Sequence, residues 1–410
     1  MTVLCADFIL TCNENFDVLD DGAIVFNEKI VEIGKSSEIL QKYKDAKVTM
    51  LPKNSVVMPG LINPHTHLEF SNNIATLTYG SFIPWLGSVI KHRDELSSGF
   101  DAELVAKLLD DNLKSGVTTL GNISSFGVEI FVCKSAKQKI VYFVEAIGSV
   151  PDALDALHSD FLARVHEALQ NSDERFLPAL SVHSPYSTHP VLAKKVIDLA
   201  KEESLLVSAH FMESLAERHW LDSGIGGFKT FFNAFNPNIK PMYRNGLEFL
   251  EMFKDVKSLL THCVHANEDE LSFIKHLNTS VTHCPTSNRL LGCGALSLKK
   301  IKSSNIPLSL GTDGLSSNIS ISLWDEMRNA LYLHVNSDLN ELAKELIAAS
   351  TNGGATALNL KSGSLQKEFS SDIIAFCLKE SPKELSQLPL QVILQATKMD
   401  KIYINGKEII

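Results

Sequence analysis

One pattern recurs eight times along the chain and leaves few folds open: a short β-branched or apolar run that ends in a polar residue. The runs are VVMPGLINPHTH, VTTLGNI, KIVYFVEAI, FLPALSVHSPY, LLVSAHFME, SLLTHCVHA, SVTHCPTSN and PLSLGTDG. Between them lie stretches such as AELVAKLLDDNLKSG, HPVLAKKVIDLAKEE and SLWDEMRNALYLHV. Their apolar residues fall at three- and four-residue spacing and stop near glycine or polar breaks, as in amphipathic helices. Eight strand-then-helix units predict an α/β fold, a (β/α)8 TIM-type barrel over residues 57–360. In such a barrel the chemistry collects at the carboxyl ends of the strands. Those ends here carry His65 and His67, Asn122, Glu145, His183, His210, His262, His283 and Asp313.

The two ends of the chain follow another rule. Residues 1–56 hold short alternating segments such as DDGAIVFNEKIVEIG, and residues 361–410 hold SSDIIAFCL and KIYINGKEII. Alternation between turn residues is the signature of strands. NEKIVEI and NGKEII read as hairpin arms, so the termini are expected to pair into one small β-sandwich domain flanking the barrel.

A chain of 410 residues buries a core large enough to need no covalent staples. Its seven cysteines are scattered and form no C-x-x-C pair, which argues against a disulfide framework or a zinc ribbon and for a reducing, cytoplasmic setting. MTVLCADFIL has no basic leader, and no later segment approaches the roughly 20 uninterrupted apolar residues of a membrane span. A net charge of -10 disfavours nucleic acid, whose phosphates attract basic faces. The expected partner is a small molecule, with no nucleic acid and no membrane, and a homodimer is compatible with the sequence.

His65-Thr66-His67 closes the first run. Side chains two apart on a strand share a face, so both imidazoles can meet one ion. His210 in SAHFME and Asp313 in LGTDG end later strands, and a closed barrel carries them to the same mouth. Three imidazoles and one carboxylate suit one divalent ion, zinc or iron(II), with a position left for water. Such an ion lowers the pKa of its water from about 15.7 toward about 7, which supplies a nucleophile.

At this point the chain resembles the amidohydrolase superfamily. MPGLINPHTH, GVTT, HSPYS, AHFMES, HCVHAN, HCPTSNRLLGCG, LGTDGLSSN and TNGGATAL match, in order, the blocks of its methylthioadenosine/S-adenosylhomocysteine deaminase branch. The resemblance spans essentially the whole chain. It implies that His65, His67, His210 and Asp313 hold the metal. It further implies that Glu213 and His262 are catalytic together with Asp313, and that Glu213 and His183 meet the substrate, an adenine nucleoside derivative. Two-metal relatives place a carboxylated lysine at the end of the fourth strand. HSPY stands there instead, so a single ion is expected. A barrel serving only as a scaffold would have lost these residues, and all are present.

One segment departs from the branch. Those deaminases place an acidic residue ahead of a tryptophan after the first strand, to grip ribose hydroxyls; here Trp85 follows YGSF. That variant, with HTHLEFSNN and SNRLLGCGAL, is similar to the aminodeoxyfutalosine deaminases of menaquinone biosynthesis, whose substrate carries a benzoate-containing 5′ extension. The alternatives are methylthioadenosine, S-adenosylhomocysteine or adenosine. Tyr79, Phe82 and Trp85 fit either an aromatic wall for the extension or ordinary core, and Arg93 or Arg289 are candidate partners for its carboxylate. His265 reads as structural, His283 as a residue near the mouth, and Ser316, Ser317, Asn318 and residues 282–288 as loops shaping the site.

Overall fold

The computed structural model describes residues 1–92, 99–234 and 238–410. Five strands precede the barrel: β1 (Thr2–Leu10), β2 (Val18–Phe26), β3 (Ile30–Lys35), β4 (Lys47–Met50) and β5 (Ser55–Pro59). Eight more follow: β6 (Leu61–Thr66), β7 (Val117–Ser124), β8 (Lys139–Ala146), β9 (Phe176–Val182), β10 (Val207–Phe211), β11 (Ser258–His262), β12 (Ser280–His283) and β13 (Leu308–Leu310). Each of these pairs in parallel with the next, in chain order. Parallel strands are covered on both faces, which is why KIVYFVEA in β8 is buried at every position.

The barrel closes between its first and last strands. The N–H groups of Thr312 and Asp313 donate to the His65 carbonyl at 3.2 and 3.1 Å, and Asn63 Nδ2 donates to Thr312 Oγ1 at 2.8 Å. This approach demands glycine beside Asp313, because a Cβ on Gly314 would lie 2.9 Å from the His67 Cβ. Toward the opposite end, Ile62, Val141 and Leu259 come from the first halves of their strands and cluster with Ala355, Ala357 and Leu358. The TNGGATAL segment is thus the barrel's floor, and Gly353 lets it press within 2.1 Å, Cβ equivalent to atom, of the Leu308 carbonyl oxygen.

After the barrel come β14 (Ile373–Cys377), β15 (Lys401–Ile404) and β16 (Lys407–Glu408). They join the first five strands in one sheet of order β16-β15-β14-β5-β1-β2-β3, with β4 also on β1. Strands four places apart in a flat sheet lie about 19 Å from each other, yet Phe26 of β2 and Tyr403 of β15 touch edge to face at 5.0 Å. The sheet is folded over on itself, and its inner faces enclose Leu4, Ile9, Ile24, Val57 and Ile373. NGKE forms the anticipated hairpin: Asn405 and Gly406 both take positive φ, 48° and 72°, as a two-residue turn matching strand twist requires.

The passage from sheet to barrel falls at Gly60, between β5 and β6, a few residues past 56/57. The C-terminal portion also contains a helix, Leu388–Gln395, whose Leu388, Val392 and Ile393 are buried in the barrel's core cluster. Among the described residues no helix is long and apolar enough to cross a membrane.

Candidate metal centre and active site

The side chains expected to hold a metal come from β6, β10 and the turn after β13, and they converge. Nε2 of His65 and of His67 lie 3.6 and 3.4 Å from Asp313 Oδ1, and Nε2 of His67 lies 3.3 Å from Nε2 of His210. Tetrahedral ligands with bonds of about 2.0–2.1 Å stand about 3.3–3.4 Å apart. Nε2 of His65 and of His262 are buried without a hydrogen-bond partner, an expensive state for a polar atom unless a ligand completes it. The donor set therefore fits a divalent cation.

The other ring nitrogens are mostly tied down. His65 Nδ1 meets Thr261 Oγ1 at 3.1 Å, and His210 Nδ1 donates to the His183 carbonyl at 2.8 Å. His262 Nδ1 donates to Asn288 Oδ1 at 2.8 Å, which leaves the lone pair on Nε2. Ser287 and Ser317 hydroxyls donate to Asp313 Oδ2 at 2.7 and 2.9 Å, and the Gly314 N–H donates to Oδ1 at 2.9 Å. Such outer partners orient ligands and tune them. Thr261 carried no signal in the sequence beyond its place immediately before His262, the last residue of β11.

Several of these residues hold strained backbone. Met212, His262, Cys263 and Asp313 all have positive φ, from 48° to 75°, although none is glycine. Such conformations cost of order 1–3 kcal/mol each and gather at functional sites. They swing the side chains at strand ends inward.

Burial sets the protonation. It drives His67 and His262 down to about 4 and lowers His210 and His183, against the pull of nearby carboxylates on His67, His183 and His262. These four imidazoles are neutral near pH 7, the form that His67 and His210 need as cation ligands. Burial opposes ionisation of Asp313 as well, but the His65 and His67 imidazoles, 3.6 and 3.4 Å away, and His262 near them outweigh it and hold the carboxyl well below its usual range. Glu213 is the opposite case: burial, then the charges of Asp313 and Glu217, push it well above the carboxylate range, so it keeps its proton. Its Oε1 lies 3.7 Å from His262 Nε2, too far for a direct hydrogen bond and near enough to serve the same small group.

All of this opens into one cavity of about 520 Å³. His67, His183, His210, Glu213, His262 and Asp313 line it, as does Trp85. The indole N–H of Trp85 is already given to the Ser316 carbonyl at 2.9 Å, so the residue offers a ligand only its ring. The aromatic wall needs correcting. Tyr79 and Phe82 do not line the cavity; Phe82 is buried against Tyr186 and Phe228. Phe70, Phe126, Phe231 and Phe232 stand there instead, beside Trp85.

Arg93 lies outside the described residues, and Arg289 is exposed and away from the cavity. The guanidinium on the cavity belongs to Arg164. It donates to Asp160 Oδ2 at 2.9 Å and to the Glu145 carbonyl at 3.0 Å. Along the sequence the pair reads as an ordinary i,i+4 surface contact, which is why it drew no notice. His265 bonds the Cys293 carbonyl and His283 the His334 ring, and neither lines the cavity.

Comparison with known proteins agrees over the same span. Residues 56–409 match the amidohydrolase family. The chain is 43% identical to an aminodeoxyfutalosine deaminase of Nitratiruptor sp., over 95% of this chain and 96% of that protein. It is 38% identical to an adenosine deaminase of Helicobacter pylori, over 100% and 99% of the two chains. A crystal structure of Helicobacter pylori aminofutalosine deaminase in complex with methylthio-coformycin superposes with a TM-score of 0.95 at 37% identity, covering 100% of both chains.

Proposed function

Since the chain belongs to the amidohydrolase family and is a deaminase-type hydrolase like its relatives, we propose that it deaminates the adenine ring of aminodeoxyfutalosine, yielding futalosine and ammonia. His65, His67, His210 and Asp313 hold one divalent ion, zinc in the first place and iron(II) as the alternative. When bound, such an ion brings the pKa of water down to about 7 and so makes a nucleophile available at neutral pH.

This chain's own groups do the rest. Glu213, protonated by its burial, donates to N1 of the ring as water adds at C6. Asp313 and His262 Nε2 accept the proton that the attacking water gives up, and His262 keeps its acceptor face inward because Asn288 holds the other nitrogen. His183 and Trp85 bound the nucleoside within the cavity. The proton taken up by Asp313 and His262 then passes to the amino group, which leaves as ammonia, while the C6 hydroxyl gives its proton to Glu213, so the carbonyl forms, the ring is restored and each group returns to its starting state.

One observation carries the choice of substrate. The cavity that holds the histidine and carboxylate cluster also holds four phenylalanines and a single Lys or Arg side chain, Arg164, among the described residues. Three of its five N–H donors are engaged, so two are left for a benzoate carboxylate. Adenosine and methylthioadenosine bring neither the second ring nor the anion.

Ammonia release from the metal-loaded protein, measured on the three substrates, tests this. The expected result is a kcat/KM for aminodeoxyfutalosine at least about tenfold above the other two, as a well-formed ionic contact gives. Faster turnover of methylthioadenosine or adenosine would transfer the assignment to them.

A further inference from the structure

The loop that presents Glu213 is gripped by a carboxylate from the following helix. Glu217 is fully buried. Its Oε1 accepts the Met212 N–H and its Oε2 the Glu213 N–H, each at 2.9 Å. Its own N–H donates to Ser214 Oγ at 3.1 Å, and Ser214 caps the helix Leu215–Ser223. Glu217 thus occupies the third helical position, where a glutamate normally reaches back to the N–H of the capping residue.

The protein contains that ordinary arrangement elsewhere. At the helix Glu268–His276, Asn267 caps the Glu270 N–H at 2.9 Å, and Glu270 reciprocates on the Asn267 N–H at 2.8 Å. The Glu270 carboxylate is also matched by Arg218 at 2.8 and 2.7 Å. Glu217 passes over its capping residue and bonds the two residues before it, spending both oxygens on main chain rather than on a cation. A buried carboxylate used this way is costly, and helix capping alone does not call for it.

We infer that Glu217 is a positioning residue for the proton donor: its carboxylate clamps two consecutive N–H groups and so fixes the left-handed turn at Met212. With φ of 48° at Met212, that turn aims the Glu213 side chain toward His262 and Asp313. This rests on Glu213 being the donor. The clamp needs two acceptors, and glutamine supplies only one, setting its NH2 against the other N–H.

Glu217→Gln in the metal-loaded enzyme tests the inference. The expected result is a kcat lowered by about 10- to 100-fold, as a misplacement of about 1 Å brings, with KM within roughly threefold and metal per chain unchanged. Ser214→Ala, which removes the cap and leaves the clamp, is expected to lower stability while kcat stays within roughly twofold. A folded Glu217→Gln with parental kcat overturns the inference, and so does a fall in which kcat and metal content decline together. Should Glu217→Gln not fold, Glu217→Asp is read by the same criteria, because its shorter arm cannot reach both N–H groups. Glu213→Gln, measured alongside, separates the two levels of argument. If it is as active as the parent, the donor assignment itself fails; if it is inactive beside an unimpaired Glu217→Gln, only the clamp fails.

Discussion

The mouth of the barrel and the folded-over terminal sheet both stand on strands and solve opposite problems. In the sheet the core is apolar, with Phe26 against Tyr403, and the buried charge pair at the seam, Lys139 Nζ to Asp372 Oδ2 at 2.6 Å, is completed by the Asn405 N–H and the Ser370 hydroxyl on Asp372 Oδ1. At the mouth, imidazoles crowd a carboxylate and two of their Nε2 atoms are buried without a partner. The sheet uses its burial for apolar packing and a completed ion pair, while the mouth accepts the desolvation of a polar cluster. This division of labour is what marginal stability allows, since local cost at a site must be met elsewhere in the fold.

The comparison breaks most visibly if His210→Ala is harmless. Removing one imidazole is expected to cost the ion and with it several orders of magnitude in turnover, because the pKa of water returns from about 7 toward about 15.7. Metal analysis and ammonia release on the same preparation check it, and a variant that keeps both would dismantle the cluster as a metal centre.

The complementary experiment is Asp372→Ala at the seam. It strands Lys139 in a buried position and is expected to destabilise the protein by about 3–5 kcal/mol, read as a lowered denaturation midpoint, while metal content and kcat at moderate temperature stay parental. A loss of turnover in the folded variant would show that sheet and mouth are not separable.

A smaller effect sharpens the contrast by pH. Glu326 lies under the Asp313 loop, accepting from Asn318 Nδ2 at 2.6 Å and the Thr286 N–H at 3.1 Å, and burial pushes it up to about 7 from 4.5. A carboxyl raised on folding favours the native state fully below its unfolded pKa, and that contribution is lost as pH climbs from about 4.5 to about 7. The parent should therefore lose roughly 3 kcal/mol relative to Glu326→Gln across that window, measured as denaturation midpoints at fixed metal. Parallel curves would mean that the mouth does not carry this pH dependence.

Much of this was legible beforehand, for reasons that can be given residue by residue. His65 and His67 declared themselves because strand geometry puts alternate residues on one face, and His210 and Asp313 because each ended an apolar run. Trp85 and His183 were placed on the cavity by motif. Phe82 was a candidate there with Trp85 and lies elsewhere: an aromatic residue at the start of a helix looks the same whether it faces a ligand or Tyr186 and Phe228, since burial within a core leaves no local mark. Arg164 escaped for the converse reason, because i,i+4 pairing with Asp160 is the commonest use of an arginine on a helix.

What the sequence settled alone was therefore periodic or chemical: eight strand-helix units, the hairpin at NGKE, and the identities of groups able to bind a cation. Those follow from short-range sterics and from side-chain chemistry, which travel with the residue wherever it goes. What only the tertiary structure decided was which lone pairs face one another. The hold of Thr261 on His65, of Asn288 on His262, and of Glu217 on the Glu213 loop joins partners whose meeting depends on barrel closure and loop direction. Hydrogen bonds are made or lost within a few tenths of an ångström, and no spacing along a chain encodes distances that fine.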